Sequence, residues 1–282
     1  MIDEVLSSET HWWFFFAGTI AFFWLMVEGG YWVGRWRREH VDPEQRAQTG
    51  TILAALLALL GFLLAISFGI AADRFGQRKA LVLQEANDIG TTFLRTDFLP
   101  EAPRDASKKL LSEYVDTRLR PLEMGDLDDA IRNSTRIQNA LWEQADIAAA
   151  ARPRSVPVGL YIDALNDVID RHEERVTVSL HYRIPPSLIW TLYLVALLSM
   201  VVMGLNFGLA GTRNLLASLA LVLAFAAVLL LIVDLDQVHQ HLFTVDQSPL
   251  ADTQASIRES MRGSSAIGGG PETPDAPAAP TR

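Results

Sequence analysis

Four apolar stretches, set two and two around one long polar segment, decide the class of fold open to this chain. They occupy residues 12–32, 51–72, 188–210 and 215–233. At about 1.5 Å per helical residue, each is long enough to cross a hydrocarbon layer about 30 Å thick. The pattern predicts an all-α integral membrane protein with four transmembrane helices and an extramembrane helical bundle between helices two and three. The expected divisions are an N-terminal tail over 1–11, helices one and two within 12–72, the helical domain over 73–185, and helices three and four within 186–234. A post-membrane segment over 235–262 is expected to pack on the helical domain, with a disordered Gly-, Ser- and Pro-rich tail over 263–282.

Charge and composition remove whole classes of function. The net charge is −9 and no basic stripe appears, which argues against nucleic acid as a partner, because neutralising phosphates needs clustered Lys and Arg. The chain has no cysteine, so disulfides, thiolate catalysis and cysteine metal sites are excluded. Asp3, Glu4 and Glu9 stand in the first ten residues without a Lys or Arg, the wrong start for a cleaved signal peptide, so the first apolar stretch is expected to be retained. There is no Gly-x-Ser-x-Gly, His-Glu-x-x-His or phosphate loop, and the sequence reads as a non-enzyme without a cofactor. His172-Glu173-Glu174 and His181 fall on a charged helix face, where solvated side chains are the ordinary outcome.

The first span is flanked by aromatics, from His11 through Phe16 at one end and Tyr31, Trp32 and Trp36 at the other, beside Arg35, Arg37 and Arg38. Such rings and arginines suit the headgroup level. Inside it stands Glu28, a candidate intramembrane acid, since a carboxylate at membrane depth is costly; the alternative is that it lies near the interface. The second span carries no charge until Asp73 and then continues without Pro or turn residues through Arg74, Arg78 and Lys79 to Asp88, which predicts one helix leaving the membrane unbroken. Gly50, Ala54, Ala58, Gly61, Ala65, Gly69 and Ala72 recur along it three or four apart, a stripe that lets another helix approach closely.

The polar segment keeps helical spacing in runs such as Leu111, Tyr114, Val115 and Val158, Tyr161, Leu165, Val168, with breaks at 100–103, 121–125 and 153–157. Spans three and four are separated by Gly211, Thr212, Arg213 and Asn214 alone, which forces an antiparallel hairpin, and their interiors are uncharged, as in a scaffold. The short-loop arginines, Arg35, Arg37, Arg38, Arg46 and Arg213, are opposed by Arg74, Arg78, Lys79, Arg175 and Arg183 on the other side. The balance leans toward a helical domain outside the cytoplasm.

The run Leu60-Gly61-Phe62-Leu63-Leu64, followed by Asp73-Arg74-Phe75 and a helical continuation, resembles the second transmembrane helix of bacterial bestrophins. The words Gln77-Arg78-Lys79-Ala80-Leu81-Val82, Glu85 through Thr91, and Asp234-Leu235-Asp236 are similar to a bestrophin-like bacterial family of unassigned function. The resemblance covers about residues 10–260. It implies a homo-oligomer, pentameric in bestrophins, whose second helices line an anion pathway narrowed by apolar rings. Carried onto this chain, the lining face runs through Ala58, Phe62, Ile66 and Ile70, and the charges at its mouth are Asp73, Arg74 and Arg78. Animal bestrophins hold calcium with acids just after the last span. Asp234 and Asp236 stand there, with His239 and His241 beyond them, although two carboxylates are fewer oxygens than calcium takes and the alternative is that they pair with Arg74 or Arg78.

The expected function is therefore a bestrophin-like, homo-oligomeric, anion-permeable channel in the bacterial inner membrane, with lipid, copies of itself and inorganic anions as its partners. The competing expectation is a membrane-embedded sensor or scaffold whose helical domain binds a protein partner.

Overall fold

Prolines and one glycine set several of the helix ends. A computed structural model describes residues 9–120, 127–180, 182–236 and 245–267. It contains α1 (Glu9–Arg37), α2 (Pro43–Arg95), α3 (Glu101–Leu119), α4 (Leu127–Ala151), α5 (Val156–Leu180), α6 (Pro186–Ala210), α7 (Leu215–Asp236) and α8 (Ser248–Ile267). Pro43 opens α2, and Pro103 and Pro157 lie in the first turns of α3 and α5, where a missing N–H breaks no intrahelical bond. Gly211 ends α6 with φ 73°, a conformation that leaves its N–H free to bond the Phe207 carbonyl. No strand occurs among the described residues.

The chain divides into two units, residues 1–80 with 175–245 and residues 81–174 with 246–282. In the first, four helices are long and apolar enough to cross a membrane. α1 and α6 are the most intimate pair. Phe23 meets Tyr193 ring to ring at 6.3 Å, Gly30 faces Val201, Gly34 faces Leu205, and Tyr31 faces Gly208, so the two helices run parallel in a steady register. A Cβ built on Gly30, Gly34, Gly204 or Gly208 would collide with a backbone carbonyl of the opposite helix. Each helix thus carries a Gly-x-x-x-Gly word, and the absent side chains let the backbones meet. Around this pair Leu60, Leu64, Leu192, Met200, Val222 and Leu229 form an apolar core. Hydroxyls inside it bond back to their own helix, Ser67 to the Leu63 carbonyl and Ser199 to the Val195 carbonyl. The four residues 211–214 join α6 to α7 as a hairpin.

The second unit is a helical bundle built from residues 81–95 of α2, most of α5, and α3, α4 and α8. Its centre holds Ile89, Leu111, Tyr114, Ile137, Leu141, Tyr161 and Leu165, all fully buried. α8 is tied on by polar contacts: Gln254 and Arg258 both donate to Asp116, and the Thr253 hydroxyl reaches the Ala86 carbonyl at 3.4 Å.

α2 passes Asp73 without a turn and belongs to both units. The first unit extends to residue 80, beyond the end of the apolar run at 72, because Arg78 is buried within it.

Candidate functional site

One side of α2 is used within the chain and the other is not. At 100° per residue, Leu60, Leu64, Ser67, Ala71 and Arg78 fall on one face, and all are buried. Ala58, Phe62 and Ile66 fall on the opposite face and are exposed, Phe62 by 63% and Ile66 by 43%, while Ile70 is half-buried at the edge. A side chain added at Gly61 or Gly69 would meet nothing within 4 Å, so the small-residue stripe of α2 is likewise uncovered within one chain. Large apolar side chains left open on a membrane-crossing helix imply lipid, another copy, or a lumen beside them.

The charges at the end of this helix separate onto its two sides. Asp73 shares the exposed face and accepts a hydrogen bond from Gln77 Nε2 at 2.8 Å. Arg74 turns aside, its guanidinium 5.4 Å from the ring centre of Tyr182. Arg78, only 6% exposed, points inward and donates to the Leu235 carbonyl at the end of α7. Next to it the Asp236 carboxylate accepts the Ile184 N–H at 2.8 Å and lies within electrostatic reach of Arg183, Arg78 and Arg74. The structure thus brings Arg74, Arg78 and Asp236 together and leaves Asp73 on the other side. No three His, Asp or Glu side chains gather as ligands among the described residues. Asp234 is fully buried beside this cluster in sequence; His239 and His241 lie outside the described residues.

Glu28 is paired. Arg213, from the turn between α6 and α7, donates to both of its carboxylate oxygens, and the same guanidinium sits 4.8 Å from the ring centre of Tyr31. Because both side chains keep solvent access, Glu28→Gln is expected to cost about 0.2–1 kcal/mol in thermal unfolding, the range of a surface pair. A loss several times larger would mark the pair as desolvated.

The second unit contains a buried polar centre that the sequence reading passed over. Glu85, with no exposure, takes Arg118 Nε at 2.8 Å and the Tyr114 hydroxyl at 3.3 Å, and Gln138 donates to that hydroxyl at 3.3 Å. His172, also buried, meets the Tyr114 ring edge-on at 6.3 Å. Burial, and then the Glu85 charge, hold the Tyr114 phenol well above its usual range, so it remains a neutral donor. One turn along α2, Asp88 takes Arg171 of α5 at 3.1 Å. A signal was present: Glu85 occupies the apolar face marked by Val82, Ala86 and Ile89, where a solvated acid has no place. Glu85, Arg118, Tyr114 and Gln138 bond one another, and with the Asp88–Arg171 pair they join α2 to α3, α4 and α5.

The Bestrophin-like domain family matches residues 20–250, which takes in α2, both helical pairs of the first unit and the buried polar centre of the second. No curated protein matches the chain. Among solved structures, a crystal structure of a bacterial bestrophin homologue from Klebsiella pneumoniae carrying one mutation is similar in fold, with a TM-score of 0.54 at 16% identity, over 88% of this chain and 99% of the other.

Proposed function

We propose an ion-channel function for this chain, which belongs to the bestrophin-like family: a homo-oligomeric, anion-permeable pore of the bacterial inner membrane, with α2 as its lining. The observation that carries the reading is the family match across 20–250, and its channel character is that of the family. Two features of the chain support it. α2 is continuous from the membrane into polar surroundings, and its Phe62 and Ile66 face is open within a single copy. Side chains one helical turn apart form stacked apolar rings when several copies share an axis, and such rings gate by dewetting, which weakly hydrated anions overcome most easily. Asp73 stands on the same face and disfavours anions at close range, so the ring and not a positive mouth must carry the selectivity.

The test is anion flux through the purified full chain in liposomes. Current is expected, and Phe62→Ala or Ile66→Ala is expected to enlarge it or change the order of anion permeability. Currents unaltered by both substitutions would remove α2 as the lining, and no current from an intact oligomer would overturn the channel itself. A second reading, a scaffold that binds a protein partner, has its own observation in exposed apolar side chains of the helical unit, among them Leu94 at 69% and Val156 at 75%. A silent oligomer with a closed axis would favour it.

A further inference from the structure

We infer that the groove between α2 and the start of α6 holds an acyl chain of an anionic membrane phospholipid, with its phosphate at Arg74 and Arg183. The groove is about 260 Å³, is open along one side, and is lined by Leu63, Ser67, Leu188, Thr191 and Leu192, with Pro185 and Ser187 at its end. Its size falls short of the roughly 300–1,000 Å³ of a pocket that encloses a compact ligand. An open trough in a membrane-crossing unit suits a flexible chain that is only partly covered.

The lining is largely hydrocarbon, and of its three hydroxyls only that of Ser187, at the end beside Pro185, is not spent on its own helix. Ser67 donates to the Leu63 carbonyl at 2.8 Å and Thr191 to the Ser187 carbonyl at 2.8 Å, so each spends its proton on its own helix and turns an apolar surface to the groove. A polar ligand would find no free donor in either. An acyl chain asks for none.

Charge complementarity fixes which end of the lipid lies where. Leu63, Ser67, Ile70 and Arg74 follow one another at four, three and four residues, so the groove face of α2 leads to Arg74, whose backbone lies about 10 Å along the axis from Ser67. On the α6 side Arg183 comes two residues before Pro185. Arg74, Arg78 and Arg183 all lie within electrostatic reach of Asp236, and even with Asp234 counted there are three positive charges against two negative. Arg78 is buried and its Nε has no hydrogen-bond partner among the described residues. Tyr182, exposed and stacked on Arg74, is the aromatic expected at headgroup level. An apolar trough ending in excess positive charge at the membrane surface matches one phospholipid in both its parts. This inference stands whether or not the chain conducts.

Native mass spectrometry of the full chain in detergent, titrated with dioctanoyl phosphatidylglycerol, tests it. One lipid per chain is expected to bind. Leu188→Trp, which fills the groove, and Arg74→Gln with Arg183→Gln, which empties the phosphate end, are each expected to weaken binding at least about tenfold. Thr191→Trp fills the same groove from an exposed position, should Leu188→Trp fail to fold. Inorganic phosphate at millimolar concentration is expected not to displace the lipid. Lipid bound equally by both groove-filled variants overturns the inference, and so does displacement by phosphate alone, which would make the arginines a site for a free anion. A groove-filled variant that changes the subunit number seen in the same spectra while keeping its lipid would assign the groove to a neighbouring copy instead.

Discussion

Arg118→Met is expected to destabilise the helical unit by about 3–5 kcal/mol, because it takes the Arg118 guanidinium away from the buried Glu85 carboxylate. Glu85 has no solvent exposure, and Arg118 reaches it from α3 at 2.8 Å, with the Tyr114 hydroxyl completing the contact. A carboxylate so placed must either keep its charge at a desolvation cost or take up a proton. The double variant Glu85→Gln with Arg118→Met is therefore expected to recover most of the loss, since replacing both members of a buried pair by neutral groups of similar size is close to neutral. Amide hydrogen exchange along α2 and α3 measures both variants. A single variant as protected as the unmodified chain would show that water reaches the pair.

The second large effect is expected where α1 meets α6. Gly204→Ala places a methyl group against the Val27 carbonyl, with the Tyr31 amide close behind, and neither belongs to a side chain that can swing away. The helices must separate, at an expected cost of about 1–3 kcal/mol, the ordinary penalty of overpacking. Gly18→Ala in the opposite helix, α1, is the control. Nothing lies within 4 Å of its Cβ position, so the change is expected to be neutral or to stabilise by up to about 1 kcal/mol through helix propensity. Opposite signs in thermal unfolding would establish that close backbone approach, not flexibility, is why α1 and α6 carry glycine. Equal effects would refute it.

Much of this protein is legible in the linear sequence because a bilayer imposes length. Four apolar runs, a four-residue link and proline-marked breaks fall where four membrane-crossing helices, the α6–α7 hairpin and the ends of α3 to α5 lie. Helix continuity past Asp73 is local too, since only proline, glycine pairs or a competing cap would have interrupted it.

Partner choice was decided elsewhere. Glu28 reads as a lone acid in an apolar stretch, and its partner Arg213 comes from 185 residues away. Asp73, Arg74 and Arg78 read as one charged mouth, yet a rotation of 100° per residue sends Asp73 to the open face and Arg78 into the interior beside Asp236. The words Gly30-x-x-x-Gly34 and Gly204-x-x-x-Gly208 are visible in the chain, but that they lock onto one another depends on the parallel register of two helices joined through all of α2 to α5. Glu85 stood among the residues that carried the family resemblance, and its contact with Arg118 forms only once α3 folds back across α2. Hydropathy and helix period act over a few turns and are written in consecutive residues; the pairing of charges and the meeting of backbones depend on which faces packing presses together, and that is settled by the folded chain as a whole.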